Sequence, residues 1–166
     1  MTAVLEKPLA TPQTASPMPR DLVLSALRAV LPAHAVLSSS ENTTPYECDG
    51  LTAYRQRPMC VVLPETYEQV QAVLRTCHRL GVPVVARGAG TGLSGGAMPH
   101  PHGVTLSLAK FNKILKMDAH SRTAVVQGGV RNLAISEAAA PLGLYYAPDP
   151  SSQIACTIGG NVAENS

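Results

Sequence analysis

Tryptophan is absent from this chain and phenylalanine occurs once; five tyrosines complete the aromatic set. Stacking platforms for single-stranded nucleic acid are therefore missing. No Lys/Arg run exists, and the net charge is only +2, so no concentrated basic face for a nucleic-acid backbone is expected. No stretch approaches the about 20 apolar residues of a membrane span. The first 20 residues lack a basic segment followed by an apolar core, and they carry Glu6, so neither a secretory nor a mitochondrial leader is expected. The default address is the cytosol. Cysteine is sparse, at Cys48, Cys60, Cys77 and Cys156, with no C-x-x-C pair. That excludes a zinc knuckle and a thioredoxin-type motif and predicts reduced thiols, Cys60 and Cys77 serving as small core residues.

What is present suits a folded protein. The chain has 166 residues, 45% hydrophobic and 14% charged, enough for about one domain with a real core. Glycine (13) and proline (14) are frequent and predict many turns and short elements. Residues 1–20, rich in Pro, Thr, Ala and Ser, read as a flexible tail. Residues 21–53 read as an N-terminal helix and linker: Asp21 is placed to cap a helix through Leu22, Leu24, Leu27 and Val30, which Pro32 stops, and residues 38–58 form a polar, turn-rich excursion.

From Met59 the pattern sharpens. Met59–Leu63 is a continuous apolar run ended by Pro64, as for a buried strand. Thr66 and Gln69 make a capping box. Tyr67, Val70, Val73, Leu74, Cys77 and Leu80 follow at helical spacing, and Gly81 suits the position after a helix. Val82–Ala86 is a second apolar run. Strand, helix and strand in this order predict a parallel βαβ unit. Short strands are expected at Val104–Leu108, Ile114–Asp118 and Ala124–Gln127, and a helix around Asn132–Ala140 that Pro141 and Gly143 stop.

Directly after the second strand comes RGAGTGLSGG, Arg87–Gly96, holding Gly88, Gly90, Gly92, Gly95 and Gly96. Residues without a Cβ let several backbone N–H groups converge on one anion. The carboxyl end of a parallel strand is where such ligands bind. Gly90, Gly92 and Gly95 match G-x-G-x-x-G, yet Pro99, Pro101 and Gly103 follow and no helical period opens, which argues against a Rossmann site. Gly95 is followed by Gly96 and Ala97 without Lys, which rejects a P-loop and with it ATP or GTP hydrolysis. His100 and His102, flanked by prolines, read as loop histidines rather than a metal pair, since no third ligand is evident; no metal site and no catalytic residue are expected on this chain.

Three blocks together carry a resemblance: PMCVVLPETYEQVQAVLRTCHRLGVPVVARGAGTGLSGG, TAVVQGGVRNLAISEAA and PDPSSQIACTIGGNVAENS. The chain resembles the FAD-binding domain of the vanillyl-alcohol-oxidase, or para-cresol-methylhydroxylase (PCMH), type over about residues 54–166. Within that family it is most similar to the bacterial glycolate oxidase D-subunit branch, with D-lactate and D-2-hydroxyglutarate dehydrogenases nearby. The resemblance implies an α+β fold: the N-terminal part of a PCMH-type FAD-binding domain, a small βαβ subdomain followed by part of a mixed or antiparallel-sheet subdomain, truncated at its C-terminal end. It assigns the FAD pyrophosphate to Arg87, Gly88, Ala89, Gly90, Thr91, Gly92, Leu93, Ser94, Gly95 and Gly96. It assigns further cofactor contacts to Pro148, Asp149 and Ser151, and to Thr157, Ile158, Gly159, Gly160 and Asn161; as residue types alone, Thr157 or Asn161 equally suits a helix N-cap. The second block has Gly128-Gly129-Val130 where the family carries Pro-Gly-Val, a looser turn. The glycine loop holds no His, so FAD is expected to be non-covalent.

The activity implied is that of a flavin-dependent 2-hydroxy-acid dehydrogenase or oxidase, of glycolate or D-lactate type, passing a hydride from substrate C2 to flavin N5. The small 2-hydroxy acid would bind through a cap domain that these residues do not include. Implied partners are a second flavin subunit and an iron–sulfur subunit, which would hold a cytosolic chain peripherally at the inner membrane. The alternative is a truncated, non-catalytic module that binds FAD or a partner subunit.

Overall fold

In a computed structural model, residues 17–166 are described. Most of the tail expected over residues 1–20 therefore lies outside the described residues; of its last four, Met18 packs against the core and Arg20 opens the first helix. That helix, α1 (Arg20–Arg28), starts one residue before the expected cap. Pro19 occupies the N-cap position, its carbonyl accepts from Leu22 N and Val23 N, and Asp21 lies in the first turn, where its charge complements the helix dipole. Leu22 points to solvent; Val23, Leu24 and Leu27 are buried.

After the two-residue strand β1 (Val36–Leu37), the polar excursion contains a single helical turn, α2 (Ser40–Thr43), capped by Ser39 Oγ, and a 3-10 turn at Thr44–Tyr46. Strand β2 (Cys60–Val62) is buried throughout. Helix α3 (Tyr67–Leu80) starts where Thr66 Oγ1 accepts from Gln69 N at 3.2 Å. The return bond of the box goes one residue further back: Gln69 Oε1 accepts from Glu65 N at 2.7 Å. Gly81 ends the helix in the left-handed region at φ 64°. The buried stripe of α3 is Val73, Thr76 and Cys77, while Leu74 is turned outward. Tyr67 is also largely exposed, its ring edge-on to Phe111 at 5.2 Å.

Strand β3 (Val84–Arg87) is parallel to β2, as the strand-helix-strand order requires, but the two are not neighbours. Strand β4 (Val104–Ser107) lies between them, parallel to both, in a sheet of order β1-β2-β4-β3 with β1 antiparallel to β2. The insertion of β4 buries it on both edges; all four of its residues are buried, as expected for a central parallel strand. Cys60 and Val62 from β2 and Val104 and Leu106 from β4 share one core cluster with α1 and α3. The valines and the leucine among them each contribute about 1.5–3 kcal/mol by leaving water.

A separate antiparallel hairpin, β5 (Ile114–Asp118) and β6 (Thr123–Val126), follows. Helix α4 (Asn132–Ala139) and the short α5 (Ile158–Ala163) complete the α+β fold that the resemblance implied. Among the described residues no helix is long and apolar enough to cross a membrane.

Burial also sets the thiol chemistry. Cys60 is pushed up from 9.0 to about 12, by burial first and by neighbouring Cys77 second, against the pull of Arg20 and Arg28. Burial alone pushes Cys77 from 9.0 to about 11. The folded state holds these protons more tightly than the unfolded chain does, so their contribution is fully present below pH 9.0 and lost as pH climbs towards about 11–12. Denaturant unfolding across that range is expected to show a shallower alkaline loss of stability in Cys60→Ala than in the parent. Parallel pH profiles would contradict this.

Candidate functional site

The carboxyl ends of β3 and β4 open on a cleft of about 980 Å³. Its first wall is the glycine loop. Leaving Arg87, the chain makes no helix until long after β4; Gly90 and Gly95 adopt positive φ, and the loop turns back through Met98 N donating to the Gly95 carbonyl. The second wall is the segment Pro150–Asn161 and α5.

The second block explains how that wall is positioned. Its backbone pairs with the third block in a short antiparallel run: Gly159 N donates to the Gly128 carbonyl at 2.8 Å, Ile158 N to Val130 O at 2.9 Å and Asn132 N to Cys156 O at 3.0 Å. Gly129 N reaches the Phe111 carbonyl at 2.8 Å, tying this run to the end of β4. The looser Gly128-Gly129 turn is thus a close backbone crossing. The two walls meet at Gly88, where an added Cβ would fall 2.6 Å from Thr157 Oγ1, so a larger residue there would force that hydroxyl aside.

Of the residues that the resemblance singled out, Arg87–Ser94, Gly96, Ser151, Thr157, Gly159, Gly160 and Asn161 line this cleft. Gly95, Pro148, Asp149 and Ile158 are not part of its lining. Pro148 and Asp149 are exposed on the preceding loop, where the Pro148 carbonyl accepts from Asn132 Nδ2 at 3.2 Å. Thr157 stands at the N-cap position of α5, yet its hydroxyl makes no cap bond. Thr157 Oγ1 and Asn161 Nδ2 are buried and have no partner among the described residues. Ser94 Oγ donates to the Glu164 carboxylate, a clasp between the glycine loop and the end of α5.

Arg87 behaves differently from the rest of its loop. It is buried, its guanidinium folds back beneath Gly90, donates from Nη1 to the Cys48 carbonyl at 2.8 Å, and lies 5.5 Å over the Tyr46 ring. Its work is to fasten the linker to the glycine loop. Asp49, on that same linker, also lines the cleft. No reading of the motifs found it; the only signal was the Asp49-Gly50 pair, an ordinary turn signature. Among the described residues no cluster of three or more His, Cys, Asp or Glu is placed to hold a metal, and His100 and His102 stand with ring centroids 6.0 Å apart.

Residues 58–166 match the family model described as FAD binding domain. The chain is 64% identical over 146 residues to the glycolate oxidase subunit GlcD of Escherichia coli (strain K12), covering 88% of this chain and 29% of that protein. It is 39% identical over 131 residues to a D-lactate dehydrogenase of Anaerostipes hadrus, covering 78% of this chain and 27% of that one. Among solved structures, p-cresol methylhydroxylase with substrate bound matches at a TM-score of 0.67 and 28% identity, over 75% of this chain and 25% of that one. The chain thus spans under a third of the length of these relatives. The resemblance drawn from the three blocks is borne out at the level of family and fold.

Replacing Arg87 by Ala should cost about 1–3 kcal/mol, because the Cys48 carbonyl loses a charged donor. Hydrogen exchange at residues 47–50 should accelerate in the same variant. Unchanged stability and exchange would show that the linker is held by other means.

Proposed function

Because the chain belongs to the FAD binding domain family, we propose that it forms the FAD-holding part of a flavin-dependent dehydrogenase or oxidase of small 2-hydroxy acids, of the glycolate or D-lactate kind. The observation that carries the cofactor reading is the pair of buried, unpartnered groups Thr157 Oγ1 and Asn161 Nδ2 on residues that line one cleft with the glycine-rich loop. Buried polar groups are nearly always paired. Of the five buried side-chain atoms without a partner among the described residues, these two belong to residues that line the cleft, where a polar ligand would pair them, whereas Thr105 Oγ1 and Asn132 Oδ1 lie elsewhere. Thr157 Oγ1 and Asn161 Nδ2 can both donate, which fits the acceptor-rich diphosphate and carbonyl groups of FAD.

In this reading the backbone N–H groups of Gly88–Gly96 cradle the diphosphate, since an amide nest binds anions without a cationic side chain. Thr157 and Asn161 fix the cofactor from the opposite wall. The Ser94–Glu164 clasp keeps the loop from opening. With no His between Gly88 and Gly96, the loop offers no imidazole for covalent attachment, so binding is non-covalent. Bound FAD would supply the two-electron acceptor for a hydride from substrate C2, chemistry that belongs to the cofactor rather than to any side chain here. The substrate-binding groups, a second flavin subunit and an iron–sulfur subunit are proposed as partners of this domain, with peripheral membrane placement through them.

The test is a titration of the protein as its gene encodes it, stripped of cofactor, with FAD, followed by flavin fluorescence. Saturable binding is expected, and Thr157→Val or Asn161→Leu should weaken it about five- to tenfold, one hydrogen bond's worth. Turnover of glycolate or D-lactate with a dye acceptor then supports the enzyme, and stoichiometric FAD without turnover supports a non-catalytic module. Absence of FAD binding would overturn the reading.

A further inference from the structure

Asp49 sits in the polar excursion before β2, outside every motif. It is nevertheless 4% exposed and lines the same cleft as the glycine loop. Its Oδ1 accepts from Leu51 N at 2.9 Å, a local turn bond. Its Oδ2 is buried and has no hydrogen-bond partner among the described residues. A carboxylate oxygen removed from water without a donor is costly, so folds avoid the arrangement unless something else supplies the donor.

The segment is held in place from several sides. Arg87 Nη1 grips the Cys48 carbonyl at 2.8 Å, and Gln56 N donates to the Glu47 carbonyl at 2.8 Å. Gly50 presses on the crest of the glycine loop, where an added Cβ would fall 2.7 Å from the Thr91 carbonyl oxygen and 2.8 Å from that of Gly92. No ion pair among the described residues engages Asp49.

A carboxylate oxygen only accepts, so its missing partner must be a donor. A phosphate cannot be that partner, because two anions at contact repel. We propose that Asp49 is a cofactor-binding residue whose Oδ2 accepts a hydrogen bond from a neutral O–H or N–H donor of the bound dinucleotide, beside its diphosphate. The inference rests on the FAD reading. Such donors exist on both halves of FAD: the ribose hydroxyls and adenine amine on the ADP side, and the ribityl hydroxyls and ring N–H on the flavin side.

Asp49→Asn tests this in the protein as its gene encodes it. The variant keeps the shape: its one oxygen stays on Leu51 N, so an amide nitrogen, which only donates, stands where Oδ2 stood. FAD affinity is expected to fall about tenfold or more, the range for a bond to a charged acceptor, while the melting temperature of the cofactor-free protein does not fall. The same loss in a titration with ADP alone places the donor on the ADP half; an ADP affinity equal to the parent's places it on the flavin half. Should Asp49→Asn not fold, Asp49→Ser, which retains an acceptor, is expected to bind FAD more tightly than Asp49→Ala. Parental FAD affinity in Asp49→Asn, or equal affinities in the Ser and Ala variants, would overturn the proposal. Failure of the parent itself to bind FAD would instead overturn the functional reading beneath it.

Discussion

The second wall of the cleft is held where main chain lies directly against main chain. Gly159 N meets the Gly128 carbonyl at 2.8 Å, and Gly129 N meets Phe111 O at 2.8 Å. These bonds bring together segments that the sequence separates by the whole β5–β6 hairpin and by α4. A Cβ at Gly129 would fall 2.3 Å from the Leu108 carbonyl oxygen and one at Gly159 2.9 Å from that of Gly128, so a side chain at either would push these segments apart. The sheet supplies the other half of the constraint: with β4 buried between β2 and β3, the glycine loop starts at a fixed edge and cannot drift.

The electrostatics of the cleft follow from the same economy of side chains. An anion site would ordinarily enlist cations, but the one arginine of the lining, Arg87, is committed to the Cys48 carbonyl and the Tyr46 ring. Two carboxylates, Asp49 and Glu164, stand in the lining as well. Attraction for a diphosphate must therefore come from converging amide dipoles, which are fixed by the backbone and cost little reorganisation when a ligand arrives. The acidic groups would divide the cleft into a part suited to phosphate and a part suited to hydroxyl or N–H donors.

Much of this was legible in the residues because local rules and tertiary structure agreed. Thr66, Gly81, the apolar run before Pro64 and the glycine loop each carry a physical signature over a few positions, and the strands and helices follow them. The placement of β4 between β2 and β3 was not legible, since strand order is set by packing across the sheet and leaves no mark at Val104–Ser107 beyond burial on both faces. The start of α1 moved because Pro19 supplies the free carbonyl where Asp21 had been placed to supply a side chain. Arg87 reads as part of an anion cradle; that its side chain also reaches back to the Cys48 carbonyl is a long-range contact that no motif marks. Asp49 was hidden in a polar linker whose next residue, Gly50, lies against Thr91 and Gly92 of the glycine loop, a contact between positions some 40 residues apart.

The central claim is that the glycine loop and the third block hold one FAD between them. Backbone amide resonances recorded while FAD is added test it most directly. The account predicts that Gly88–Gly96 and Thr157–Asn161 shift together and saturate with one dissociation constant, while β5 and β6 stay still. Shifts confined to one wall, or centred on the hairpin, would contradict it.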